Sequence, residues 1–220
     1  MAAPLGTKAA RRIGVYGGSF DPPHMGHLVL AQAAREALRL DRVLWLPAGD
    51  PWQKTGAADR RVTEAAHREA MVRAAIAHQP GFVLDRREIE RAGPSYTIDS
   101  VRELQQEHPD AAVFLIIGQD QYERLSSWRE GRELLTRVTL AVAGRDGRSA
   151  ATPRDLMMVW HRVEPIPMPP MAVSATEIRD RIGAGATAMS LVPDMVPAVV
   201  ARYIDQHHLY RPAAAAPVAA

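Results

Sequence analysis

GGSFDPPHMGHL (residues 17–28) sets a glycine pair, a proline pair and two histidines in twelve positions. It follows RIGVYG (residues 12–17), a short apolar run that reads as a buried strand. It precedes Leu28, Ala31, Ala34 and Leu38, which mark a helix at the 3.6-residue period. A strand, a glycine-bearing turn and a helix in that order open an α/β fold. Pro22 and Pro23 disfavour helix before them, so the helix is expected to begin near His24 to Gly26. Both histidines then lie in or near its first turn, where unpaired N–H groups and the positive dipole end favour an anion. At i and i+3 the two rings can face the same side. Taken alone, the pattern leaves three readings open: a capped turn with exposed imidazoles, a metal pair, or an anion-holding loop. A metal pair would want further ligands, and no supporting cluster of histidines and carboxylates stands at ligand spacing.

The rest of the chain continues the alternation. Val43 to Leu46, Phe82 to Leu84, Val113 to Ile117 (VFLII), Thr139 to Ala143 (TLAVA) and Val163 to Ile166 read as strands. VFLII is an unbroken apolar run of the kind that a parallel sheet buries on both faces. Helical patterns fall at Thr63 to His78, around Ile98, Val101 and Leu104, around Glu130 to Leu135, at Thr176 to Ile182 and at Val196 to His207. This order predicts a Rossmann-like α/β fold, a doubly wound parallel sheet with helices on both faces. Such sheets bind ligands at the carboxyl ends of their strands, near the switch in strand order. One domain is expected over residues 12–210, with a helical C-terminal part at about 174–208. Residues 1–11 read as a flexible lead-in and 211–220 as a disordered tail. The Pro- and Arg-rich stretch from Gly144 to Pro170 is otherwise irregular. Nothing singles out Trp45 or Trp160 as core or surface.

Bulk properties exclude some functions. The 220 residues are 47% hydrophobic and 24% charged, an ordinary globular balance. A formal net charge of +2 gives no ground for nucleic-acid binding. No apolar run approaches the roughly 20 residues that span a bilayer, so no membrane partner is expected. The first residues, MAAPLGTKAARR, lack the apolar core of a signal peptide, and there is no cysteine. Both fit a cytoplasmic protein. Whether the chain forms a homo-oligomer is not legible.

GGSFDPPHMGH resembles the G-x-F-x-P-x-H-x-G-H signature of the nucleotidyltransferase superfamily, whose H-x-G-H is similar to the HIGH motif of class I aminoacyl-tRNA synthetases. VSATEIR (residues 173–179) is similar to that superfamily's late I-S-S-T-x-I-R motif, and follows in the expected order. Three further stretches resemble the nicotinate-nucleotide adenylyltransferases: LPAGDPWQK (46–54), RAGPSYTIDSV (91–101) and FLIIGQDQYERLSSWRE (114–130). The resemblance covers most of residues 12–210. It implies adenylyl transfer from ATP to nicotinate mononucleotide in NAD biosynthesis, with Mg²⁺ held mainly through the ATP phosphates and no protein metal cage.

Residue by residue, the resemblance implies that Gly17, Ser19 and Phe20 line the ATP site, largely by backbone. His24 and His27 would contact the triphosphate, with Gly26 leaving room for adenine or ribose. Gly118 and Asp120 would hold the ribose. Ser174, Thr176 and Arg179 would grip the outer phosphates. On the acceptor side, Trp128 would stack on the pyridine ring, the Thr97 backbone would help to read its carboxylate, and Lys54 would offer a cation. The sequence departs from the family pattern at Gln53, where relatives often have histidine, at Ala175, often serine, and at Arg129, often aromatic. A related transferase acting on phosphopantetheine fits less well, because it would not account for PSYT and SSW. A tRNA synthetase would need a longer chain and a KMSKS-like motif. A catalytically silent nucleotide sensor is disfavoured by the intact His24, His27 and Arg179.

Overall fold

The computed structural model describes residues 11–50, 62–144 and 150–212. In chain order the elements are β1 (Arg12–Gly18), α1 (Met25–Ala37), β2 (Arg42–Pro47), α2 (Ala65–Ile76), β3 (Phe82–Leu84), α3 (Arg87–Glu90) and α4 (Thr97–Glu107). They continue with β4 (Ala112–Gly118), α5 (Gln119–Glu123), α6 (Gly131–Arg137), β5 (Thr139–Ala143), β6 (Arg162–Ile166), α7 (Ala175–Gly183) and α8 (Ala198–Gln206). The short α3 and α5 have no counterpart in the sequence pattern, because one turn of helix is too brief to show a period.

The six strands form one sheet in the order β3-β2-β1-β4-β5-β6, and every pair is parallel. Period-two alternation divides its core. Val113, Leu115 and Ile117 of β4 face one layer with Ile98, Val101 and Leu104 of α4 and Leu134 and Leu135 of α6. Phe114 and Ile116 face the other, with residues of α1, α2, α7 and α8. The helix after β1 therefore covers one face and the turns after β4 cover the other. Between these neighbouring strands the connections part, and a crevice opens beyond their carboxyl ends. The opening loop, residues 19–24, starts there.

Trp45 belongs to the core. Its ring lies 5.1 Å from Tyr16, 5.1 Å from Phe20 and 5.5 Å from Phe82, centroid to centroid. Trp160 is exposed. Phe20 takes a positive φ of 47°, a backbone region costly to a bulky side chain. Burial of its ring against Tyr16, Trp45 and His27 offsets that cost.

The most consequential buried group is Arg68 of α2, only 1% exposed. Its Nε donates to the Thr63 carbonyl at 2.7 Å, its Nη1 to that of Ser19 at 2.9 Å and its Nη2 to that of Gly49 at 3.1 Å. One guanidinium thus ties the opening loop, the segment after β2 and the approach to α2. Burial lowers its pKa from arginine's usual value, and the charges of Asp21 and Tyr210 oppose that shift. Asp21 is itself buried, accepting from the Tyr210 hydroxyl at 2.7 Å and from the Thr63 N–H at 3.1 Å. Substituting Arg68→Met keeps the stem but strands three carbonyls and removes a buried positive charge that interacts with Asp21. We expect a loss of about 3–5 kcal/mol in urea denaturation, with Arg68→Lys losing less because it keeps the charge. A loss below about 1 kcal/mol for Arg68→Met would show that the loop does not depend on this contact.

Candidate functional site

The cleft beyond β1 and β4 is lined by Gly17 to Asp21, His27, Ala48, Glu88, Ser95 to Thr97, Leu115 to Gly118, Gln121, Trp128, Arg129 and Ala175, together with Tyr16. Of the residues expected from sequence, Gly17, Ser19, Phe20, His27, Thr97, Gly118 and Trp128 meet there. His24, Gly26, Asp120, Ser174, Thr176 and Arg179 are not in the wall itself. Lys54, with the rest of residues 51–61, lies outside the described residues.

The two histidines have different positions. His24 is the N-cap residue of α1 with extended backbone, and its ring is buried. The His27 ring stacks on it at a centroid distance of 3.6 Å. The backbone N–H of His24 donates to Nδ1 of His27 at 3.1 Å. This bond places the proton of neutral His27 on Nε2 and makes that atom a donor. Burial pushes the His24 pKa down to about 4, so His24 is neutral at pH 7. Its Nδ1 has no hydrogen-bond partner among the described residues.

Gly26 is also required by the protein's own packing. A Cβ there would come within 3.1 Å of Cγ1 of Val173 and 3.2 Å of Cε1 and Nδ1 of His24. The space beside Gly26 is thus filled by protein, and glycine lets the His24 ring and the start of the late motif close on α1. The first turn of α1 also has fewer open donors than the sequence pattern implies. The Met25 N–H goes to the Met195 carbonyl at 2.9 Å, and that of His27 to the His24 carbonyl at 2.9 Å.

The late motif reaches the loop from the far end of the chain. Arg179 Nη1 donates to the Asp21 carbonyl at 2.6 Å, and its Nη2 to Oγ1 of Thr176 at 3.2 Å. Ser174 caps α7, accepting from the Glu177 N–H at 3.1 Å. Its hydroxyl hydrogen remains a donor while the oxygen is engaged. Ala175, between these residues, lines the cleft. Asp120 sits in the first turn of α5 and is exposed, while Gln121 beside it reaches the wall.

On the other side of the cleft, the PSYT segment is fixed by short contacts. The Gly49 N–H donates to Oγ of Ser95 at 3.0 Å, and the Ser95 N–H to the Asp50 carbonyl at 3.0 Å. Gly49 can be only glycine here, since a Cβ would sit 2.2 Å from the Glu88 carbonyl oxygen. Glu88 is buried and accepts from the Ser100 hydroxyl at 2.8 Å. Burial raises its pKa, against the smaller opposing effects of Ser100 and Arg91. Tyr96 is the N-cap residue of α4, so the first-turn N–H groups of Thr97 and Ile98 have no acceptor within their own helix.

Several of these residues escaped the sequence reading. Arg68 could have been found, because it shares an i, i+3, i+4, i+7 stripe with Met71, Val72 and Ala75. Glu88, Gln121 and the Asp21–Tyr210 pair carried no local signal.

Comparison with known proteins shows the family. A family model described as cytidylyltransferase-like matches residues 15–181. A "probable nicotinate-nucleotide adenylyltransferase" of Methylibium petroleiphilum is 65% identical over 202 residues, 92% of this chain and 93% of the relative. One of the same name from Albidiferax ferrireducens is 43% identical over 205 residues, covering 92% of this chain and all of the relative. Among solved structures, the Plasmodium falciparum nicotinic acid mononucleotide adenylyltransferase complexed with NaAD superposes with a TM-score of 0.72. It covers 91% of this chain and 97% of its own at 19% identity, a likeness of fold. This chain belongs to the nicotinate-nucleotide adenylyltransferase family, within the cytidylyltransferase-like proteins.

Proposed function

We propose that this protein transfers the adenylyl group of ATP to the phosphate of nicotinate mononucleotide, releasing pyrophosphate and forming nicotinate adenine dinucleotide. The observation that carries this reading is convergence in one cleft. Residues 17–21 and 27 of the nucleotidyltransferase signature share it with residues 95–97 and 128 of the two acceptor-type segments. Family membership supports the same reaction.

An acceptor phosphate oxygen attacks the α-phosphorus of ATP in line. The new P–O bond forms as the bond to the β-phosphate bridging oxygen breaks, and that oxygen leaves with its electron pair on pyrophosphate. The nucleophile is already an anion, so no general base is required. The protein must align two polyanions and stabilise charge as it builds. Nε2–H of His27 is the donor for that charge, held in orientation by the His24 N–H and stacked on a neutral ring. Arg179, Ser174 and Thr176 serve the outer phosphates from the start of α7. Gly118, with Asp120 nearby on α5, serves the ribose. Trp128 and the α4 N-terminus at Thr97 receive the pyridine ring, and Lys54 supplies charge to a phosphate.

Mg²⁺ is proposed to enter with ATP. Among the described residues no group of three or more His, Asp or Glu side chains converges to hold a metal. Asp21, which lines the cleft, is engaged by Tyr210 and Thr63. This donor set suits an ion carried by phosphate oxygens and water, where it neutralises phosphate charge.

Pyrophosphate release from ATP and Mg²⁺ tests the reading directly. We expect kcat/KM for nicotinate mononucleotide to exceed that for nicotinamide mononucleotide by at least about tenfold, since a site built for a carboxylate leaves its donors unpaired with the amide. Equal values would overturn the acceptor assignment. His27→Ala is expected to lower kcat by about 10²-fold, the scale of one lost transition-state donor. Near-normal turnover in a folded variant would remove His27 from the reaction.

The buried ring of His24 gives a stability prediction. Its folded pKa of about 4 lies below the unfolded value near 6.5. The unfolded chain therefore binds the extra proton first as pH falls. The stability that His24 gives is complete above pH 6.5 and is lost between about 6.5 and 4, by roughly 3 kcal/mol in full. The stability advantage of wild type over His24→Asn should narrow across that window in urea melts. A gap that stays constant from pH 7 to 4.5 would contradict the burial of a neutral ring.

A further inference from the structure

The wall of the cleft is poor in permanent positive charge. Among its described residues Arg129 is the one lysine or arginine, although both proposed substrates are polyanions. It is also one of the positions where this chain leaves the family pattern, so its side chain carries information the family resemblance does not.

Arg129 stands in a fixed turn. The Trp128 N–H donates to the Leu125 carbonyl at 3.1 Å, and the Gly131 N–H to the Trp128 carbonyl at 3.0 Å. Its guanidinium lies over the Tyr96 ring, with Cζ 4.7 Å from the centroid. Tyr96 is the residue before the first turn of α4, and Tyr96 and Thr97 line the same cleft. The cation and the positive end of α4 therefore border one space, with Trp128 adjoining it.

Neighbouring carboxylates offset this charge only in part, because Arg102 competes for them; Asp99, in the first turn of α4, lies 3.4 Å from Arg102. Glu130 is the nearest, but its contact with Arg129 is long, at 3.5 Å. Glu130 is instead drawn to Arg102, which holds it at 2.5 Å and Glu133 at 2.6 Å. Glu88 also borders the cleft, but its Oε1 is occupied by the Ser100 hydroxyl. Arg129 is more than half exposed, so it can turn toward a ligand without the cost of breaking a buried pair.

We propose that Arg129 is a specificity-determining residue, whose guanidinium pairs with the ring carboxylate of the acceptor at the N-terminus of α4. The inference rests on the acceptor assignment above and extends it to a side chain. A planar guanidinium matches a carboxylate in shape and charge and gains nothing comparable from a carboxamide.

The test is steady-state kinetics of wild type, Arg129→Ala and Arg129→Lys with both mononucleotides as acceptor. For Arg129→Ala we expect kcat/KM with nicotinate mononucleotide to fall roughly tenfold, an exposed pair being partly screened by solvent. The fall should lie in KM for the acceptor, with kcat and the KM for ATP within about threefold of wild type. With nicotinamide mononucleotide the variant should stay within about threefold, and Arg129→Lys should recover part of the loss. Equal losses on both acceptors would mean that Arg129 only supports Tyr96 or binds the phosphate, and would overturn the proposal. An unchanged preference would overturn it as well, leaving the acceptor assignment intact. A wild-type enzyme that does not prefer nicotinate mononucleotide would overturn both, and the wild-type arm alone reveals that case.

Discussion

The opening loop is held from behind by arginines that grip its carbonyls, and the site depends on that restraint. Arg68 takes the carbonyl of Ser19 and Arg179 that of Asp21, two residues apart. Between them Phe20 keeps a left-handed backbone that it would leave if free. Its ring then packs edge-on against His27 at 5.1 Å, so restraint of the backbone becomes restraint of an imidazole. Arg68 reaches at the same time to Gly49, whose N–H fixes Ser95 on the acceptor side. A single buried cation thus couples the opening-loop side of the cleft to the PSYT side. Burying that charge is costly, and three carbonyls plus the field of Asp21 are what make it tolerable.

Much of the architecture was legible because apolar periodicity reports it. VFLII reads as a two-faced strand because five apolar residues are too few for a buried helix, and the stripe from Leu28 to Leu38 reads as a helix by its period. Alternation predicted a parallel sheet but not its order, because β3-β2-β1-β4-β5-β6 depends on which strands pair in space. The candidate site was legible where it is contiguous in sequence, in the opening loop, in PSYT and at Trp128. It was not legible where partners lie far apart along the chain. Tyr210 and Asp21 are 189 residues apart and meet at 2.7 Å, and no local pattern announces such a pair. Gly26 shows a subtler limit. Its small size suggests room for a ligand, and the structure adds that His24 and Val173 close on the same residue. A glycine in a sequence says that something comes close, but not what.

The histidine pair also changes meaning in three dimensions. Two imidazoles at i and i+3 suggest equal partners for a phosphate. Burial and the 3.6 Å stack divide their duties instead. His24 is a neutral platform whose backbone N–H fixes the tautomer of its neighbour, and His27 presents the donor. Two charged rings at that separation would repel, so a neutral platform is the arrangement that keeps the stack intact.

Two polyanionic substrates call for positive charge, yet the described wall of the cleft holds one fixed cation. Transition-state logic gives a reason. Strong fixed charges would bind ATP, acceptor and pyrophosphate alike, which tightens binding without lowering the barrier between them. A directional donor such as the one proposed at Nε2 of His27 gains most where charge grows, at the bridging oxygen as the bond to the β-phosphate breaks. An ion brought in by ATP, as proposed above, would add its charge only while the nucleotide is bound. With Arg179 and Lys54 proposed for the phosphates from outside the described wall, the one cation within it is left to discriminate between acceptors. Arg129, over Tyr96 at the start of α4, is that cation.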